Sequence, residues 1–197
     1  FGTPEYMRAT QMTGQLVRYY GVPMRASGVC AANVPDGQAM WETSNSLWAA
    51  VQSRTNMVYH AAGWLEGGLI ASPEKFIMDC EVLQMIQRYF EEVTFATRDE
   101  DLAFDAIKEV GAGGHYFGIQ HTQDRYQQAF YQPFVSDWRN YEAWQADGSV
   151  WTVERAHRIY KQILAEFEAP EMPGDDLEEL QRFVAKRKQE GGAPTDF

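Results

Sequence analysis

Short β-prone runs separated by long helical segments constrain this chain more than any other feature, because two parallel strands need a crossover of about a dozen residues or more between them. Thr3-Pro4-Glu5 opens a helix: Thr can accept from the free amides of the first turn, Pro fits the first helical position and Glu suits the positive dipole end. That helix is predicted over 4–20, with Gly21 as its stop. A buried strand follows within 22–27, flanked by Gly and Pro, and Gly28 releases the chain into a loop. Asp36 caps a second predicted helix over 37–53, and Asn56-Met57-Val58-Tyr59-His60-Ala61 is a second β-prone run whose exit holds Gly63, Gly67 and Gly68. Ser72-Pro73-Glu74 repeats the opening signal, and Phe76, Cys80, Leu83, Ile86 and Phe90 then recur at helical spacing as a predicted core face. A helix over 99–110, a third strand at His115-Tyr116-Phe117-Gly118 and a helix over 120–130 complete the alternation. The pattern is that of βα units carrying a parallel sheet.

Beyond Trp138 the pattern changes. Ala156, Ile159, Tyr160, Ile163, Leu164 and Phe167 make a long amphipathic helix, followed by a Pro-rich break over 169–176 and a charged helix to about residue 188. The predicted organisation is therefore βα units over 1–135, a helical extension over 136–190 and a frayed tail over 191–197.

Charge narrows the partners. The 197 residues carry 28 acids against 17 bases, a net charge of -11, which repels phosphate backbones and anionic membrane surfaces. Residues 1–70 hold four acids and four bases while 71–110 hold ten and four, so the first third reads as buried and the middle as solvated. No apolar run approaches the length of a membrane span, and nothing near Phe1 reads as a signal peptide. Cys30 and Cys80, 50 residues apart, exclude a disulfide scaffold or a four-cysteine zinc site, and a cytoplasmic location is expected. Cys30, in a loop after a strand, reads as a structural thiol ahead of a nucleophile, and Cys80 as core. No Walker loop or dinucleotide fingerprint is present, so neither a bound nucleotide nor a bound metal is predicted. The chain begins at Phe1, with Met7 its first methionine, and is expected to be a piece of a longer protein.

Gly113-Gly114-His115-Tyr116-Phe117-Gly118 followed by His121-Thr122, then Phe130-Tyr131-Gln132-Pro133, Asp137 and Tyr141-Glu142-Ala143-Trp144, resembles the C-terminal part of the trimethylamine methyltransferase family. Asn33-Val34-Pro35-Asp36-Gly37-Gln38-Ala39 and the run from Asn56 through Gly63, ending Leu65-Glu66-Gly67-Gly68, resemble the family's two preceding βα segments in the same order. The resemblance covers about residues 1–190 and implies the C-terminal part of a TIM (β/α)8 barrel followed by helices. It also implies transfer of an N-methyl group from a methylamine or quaternary amine to the corrinoid of a separate partner protein. Pyrrolysine, which founding members use, does not occur in the sequence, so the resemblance points to the pyrrolysine-free branch that demethylates quaternary amines such as glycine betaine.

In a barrel the chemistry lies in the loops after the strands. Here these are 1–5, 27–36, 60–66 and 120–121. His60, at a strand end, is the predicted group for a substrate carboxylate or a proton, its alternative being a histidine satisfied by backbone. Glu66 is placed with it as catalytic, against a plain solvated loop acid. Tyr59, Trp64, Glu5 and His121 are predicted to bind substrate, since a quaternary ammonium donates no hydrogen bonds and aromatic faces suit it. Trp41 and Trp48, at helical spacing, read as packing, and His157 as surface. Gly113, Gly114 and His115 are predicted to face the corrinoid, the glycines permitting close backbone approach. Two rival functions share these features: a betaine-binding or corrinoid-docking module without turnover, and a homo-oligomerisation surface on the late helices.

Overall fold

The computed structural model describes residues 1–92 and 102–191. Helix α1 (Pro4–Tyr20) leads into β1 (Arg25–Ser27), α2 (Gly37–Gln52) and β2 (Met57–Tyr59), and β1 and β2 pair in parallel with Ala26 opposite Val58. Caps set the helix starts where the sequence predicts them. Thr3 Oγ1 accepts from the Tyr6 amide, Asp36 from Ala39 and the Ser72 hydroxyl from Lys75. At the other end of α1, Gly21 takes the left-handed conformation and its amide bonds back to the last turn.

The glycine-rich exit of β2 is a small antiparallel hairpin. Strands β3 (Trp64–Leu65) and β4 (Ile70–Ala71) pair across a single 3-10 turn at Glu66–Gly68. After it come α3 (Pro73–Tyr89), α4 (Phe104–Val110), α5 (Gln120–Ala129), α6 (Tyr141–Ala146) and α7 (Thr152–Glu166). The described residues thus form a helix-dominated α/β fold with few, short strands.

Several expectations are corrected. Residues 115–118 form no strand; they are turn and coil, because among the described residues no neighbouring strand offers them a ladder and isolated extended backbone is not stable alone. The start of the helix expected at 99 and the tail over 192–197 lie outside the described residues. On α3, Ile86 is buried and Cys80 and Leu83 are half-buried, but Phe76 and Phe90 are exposed. The side of α3 that faces inward carries Lys75, Ile77, Met78, Asp79 and Glu81 instead. Trp41 is exposed rather than packed, whereas Trp48 is half-buried edge-on against Tyr89 at 5.1 Å.

Two apolar cores hold these elements. Cys30, Ala32, Ala39 and Leu65 join the loop after β1 to α2 and the hairpin. Ile77, Met78, Val135 and Ala156 join α3 to α7 through the segment before α6, with Met40, Val153, Ile159 and Tyr160 packed around them. Contacts divide the chain into Phe1–Gln162 and Ile163–Phe197. The second unit holds α8 (Gly174–Gln189), acidic at its start and basic at its end as the helix dipole favours. Among the described residues no helix is long and apolar enough to cross a membrane.

Candidate active site

The parallel register sets Ser27 opposite Tyr59, so the two strands end side by side and His60 emerges next to Ser27. His60 Nδ1 lies 3.0 Å from Ser27 Oγ, which holds the imidazole by one nitrogen and leaves the other for a further partner. Tyr6, from the first turn of α1, clamps Ser27: its hydroxyl donates to the Ser27 carbonyl at 2.9 Å and accepts from the Ser27 amide at 3.2 Å. The Phe1 ring packs 5.2 Å from Tyr6. The Trp64 indole stands edge-to-face against His60, with centroids 5.5 Å apart at 85°. Phe1, Tyr6, Ser27, His60 and Trp64 therefore build one wall at the C-terminal ends of β1 and β2.

Backbone hydrogen bonds stitch the hairpin to the loop after β1. The Glu66 amide donates to the Ala32 carbonyl at 3.0 Å, Gly67 to Cys30 at 2.8 Å, and the Cys30 thiol donates to the Trp64 carbonyl at 3.3 Å. Cys30 is fully buried, in keeping with a structural thiol. The same loop is held from α2 by Glu42, whose carboxylate accepts from the Ala31 and Ala32 amides at 2.8 and 3.0 Å. His60 and Glu66 both have left-handed backbone, with φ of +51° and +49°. For residues other than glycine this costs about 1–2 kcal/mol each, and such strain persists where the surroundings over-determine it, most often at functional sites.

Behind the wall lies a buried ionic group. Asp79 is 1% exposed and Lys75 fully buried, with Lys75 Nζ 2.5 Å from the carboxylate and 2.7 Å from Thr43 Oγ1 on α2. The other bond of the carboxylate is to the loop: Asp79 Oδ2 accepts from the Gly63 amide at 2.9 Å. Burial pushes the Asp79 carboxyl up, against the pull of the Lys75 ammonium and the Gly63 amide. None of this is visible in one dimension, because a Lys and an Asp four apart on a helix normally read as a solvated pair. Tyr6 and Ser27 carry no sequence signal beyond their position, Tyr6 just after the predicted mouth loop 1–5 and Ser27 at the start of 27–36.

Other predicted site residues lie differently. Tyr59 packs its ring against the Arg25 guanidinium at 4.5 Å, so one cation already occupies that aromatic surface. Glu5 is exposed in the first turn of α1, where its own backbone amide and the Thr3 hydroxyl hold its carboxyl below the usual range. His121 does not follow a strand; it is half-buried near the start of α5, lining a groove with Phe104, Asp105 and Lys108 of α4. Residues 111–118 are all exposed, and His115 packs against Phe117 at 5.8 Å. Gly113, at φ +79°, has open space where a side chain would project. Among the described residues no three His, Cys, Asp or Glu side chains are grouped to hold a metal ion.

Residues 1–192 match the family model for trimethylamine methyltransferase (MTTB). A glycine betaine methyltransferase of Desulfitobacterium hafniense (strain Y51) is 39% identical over 193 residues, which are 97% of this chain and 40% of that protein. Trimethylamine methyltransferases of Methanosarcina mazei and Methanosarcina barkeri (strain Fusaro) are each 26% identical over 94% of this chain and 37% of their own length. The chain thus spans about two fifths of the length of these curated relatives.

Proposed function

Because the chain belongs to the trimethylamine methyltransferase family, we propose that its protein transfers an N-methyl group from a quaternary amine to a corrinoid carried by a partner protein. The observation that carries this reading beyond kinship is the wall at the ends of β1 and β2. There an aromatic set stands beside an oriented histidine whose own backbone is left-handed. In this reading residues 1–135 are βα units of a (β/α)8 barrel, supported by the parallel β1–β2 pair joined through α2, and residues 136–190 are a helical extension.

Trp64 and the rings of Phe1 and Tyr6 supply apolar, electron-rich surface that attracts a cation without asking it for a hydrogen bond. His60, held by Ser27, meets the substrate's carboxylate or moves a proton beside it, and Glu66 faces the cationic nitrogen. Tyr59 and Glu5 lie at the rim. The corrinoid supplies the nucleophile that accepts the methyl group, and Gly113, Gly114 and His115 face its carrier. When the N–CH3 bond breaks, its electron pair stays on nitrogen, so a quaternary substrate leaves as a neutral tertiary amine and needs no proton from the protein. The wall's task is to orient the methyl carbon and keep water away from it, the effects that dominate when no protein group forms a covalent bond.

The greater likeness to a glycine betaine enzyme than to the trimethylamine enzymes supports a quaternary substrate. The test is anaerobic incubation of the full-length protein with cob(I)alamin and, separately, glycine betaine, proline betaine, carnitine and trimethylamine, following methylcobalamin by absorbance. Turnover of one quaternary amine with trimethylamine inert is expected. Binding of a betaine by calorimetry without turnover would instead make the protein a binding module.

A further inference from the structure

Gly63 lies between the two residues that meet across the wall, His60 and Trp64, immediately before Trp64, and it is held at both backbone atoms by the start and body of α3. Its amide donates to Asp79 Oδ2 at 2.9 Å, and its carbonyl accepts from the Ser72 amide, at the N-cap of α3, at 2.9 Å. Its φ is +82°, and a β-carbon there would come within 3.1 Å of Phe76 Cβ, so the loop presses against α3 at this point. Asp79 is in turn gripped by Lys75, which also donates to Thr43 on α2. One buried ammonium therefore connects α2, α3 and the loop.

We infer that Lys75 and Asp79 are positioning residues for the proposed methyl transfer: through the Gly63 amide they fix where Trp64 stands relative to His60. A buried ion pair is a poor device for stability alone, since well-packed apolar residues of similar volume often replace one at no cost. What an apolar pair cannot supply is an acceptor for the Gly63 amide, which would be left buried and unpaired. The carboxylate is aimed at that amide and Lys75 keeps it aligned, as a supporting shell must for a site to hold its geometry within about half an ångström. The inference rests on the proposed function for its catalytic consequence but not for the tether itself.

Two double variants separate positioning from packing in the full-length protein. Lys75→Met with Asp79→Leu fills the space without an acceptor, whereas Lys75→Met with Asp79→Asn keeps a neutral acceptor for Gly63. Both avoid an unpaired buried charge. Amide hydrogen exchange at Gly63, melting temperature, and kcat and KM for the reacting amine are measured on each. In the Leu variant, exchange at Gly63 is expected to rise at least tenfold and kcat/KM to fall at least tenfold at a temperature where the protein is still fully folded, with the melting temperature lowered by only the few degrees that one unpaired amide costs. The Asn variant should recover both to within about threefold of the parent. Wild-type exchange in the Leu variant would overturn the tether. Faster exchange with full kcat and KM would overturn the positioning role and leave an ordinary buried pair. If the parent protein transfers no methyl group at all, the proposed function fails, and the exchange comparison still decides whether Asp79 holds the loop.

Discussion

Two loops of this chain place a histidine near glycines, and they are held in opposite ways. The loop after β2 carries His60 and Gly63 and is bonded from three directions: to Ser27 at the end of β1, to Asp79 inside α3 and to Ser72 at the helix start. The hairpin that follows it is tied to the loop after β1 at Cys30 and Ala32. The loop before α5 carries Gly113 and His115, is exposed throughout over 111–118, and is fastened chiefly at its ends, by Gly111 to Ile107 and by the Gln123 side chain to the Phe117 carbonyl. Glycine thus serves opposite purposes in the two loops. In the first loop glycine lets the backbone take a shape that neighbours then enforce, and in the second the backbone stays exposed, with open space beside Gly113.

The severest way to break the comparison is at the buried pair. Lys75→Met alone strands the Asp79 carboxylate in the interior, and chemical denaturation should show a loss of about 3–5 kcal/mol. A loss below about 1 kcal/mol would mean that the loop is not held as described. The two glycines give a direct contrast. Gly63→Ala is expected to cost about 2–4 kcal/mol, from left-handed backbone together with the contact against Phe76, whereas Gly113→Ala meets no neighbour and should cost about 1 kcal/mol. Equal melting temperatures for the two variants would erase the distinction.

How much of this the residues announced depends on how local the cause is. The caps at Thr3, Asp36 and Ser72 act within three or four residues, and the helices they open begin where the sequence places them. β1 and β2 were legible as short runs between turn signals, but the strand expected to be buried within 22–27 is only Arg25–Ser27 and is exposed to half-buried. The hairpin was not, because two-residue strands are defined by their pairing across Gly67 and Gly68 rather than by any pattern of their own. Residues 115–118 have strand-like composition and no strand to pair with. The wall was half legible: His60 and Trp64 follow a strand end, but Tyr6 reaches Ser27 across 21 residues and Asp79 reaches Gly63 across 16. On α3 the hydrophobic period misled, since Lys75 and Asp79 interrupt the inward face while Phe76 and Phe90 lie outside it.

Finer tests sharpen the same contrast. Trp64→Ala should weaken amine binding about 3- to 30-fold by calorimetry, the range of a cation–aromatic contact, while Phe117→Ala on the open loop should leave it unchanged. The smallest effect is expected one residue from Lys75, where Glu74 points outward and accepts from His157 on α7 at 2.9 Å. That contact holds the Glu74 carboxyl below its usual range, so its contribution to stability is present above about pH 4.5 and is lost as pH falls through the lowered value. Being partly solvated it is worth less than about 1 kcal/mol. Melting curves of the parent and of Glu74→Gln should differ slightly at pH 6, and the difference should shrink as the pH is taken below about 4.5.

Lys75 also gives the molecule a clock. The chain has five lysines, and the other four, Lys108, Lys161, Lys186 and Lys188, are exposed. An amine-acylating reagent would therefore label those four at once and reach Lys75 only when α3 lifts from α2 and the loop, so the slow fifth modification times the opening of that region, residue by residue, in a sample that otherwise stays folded.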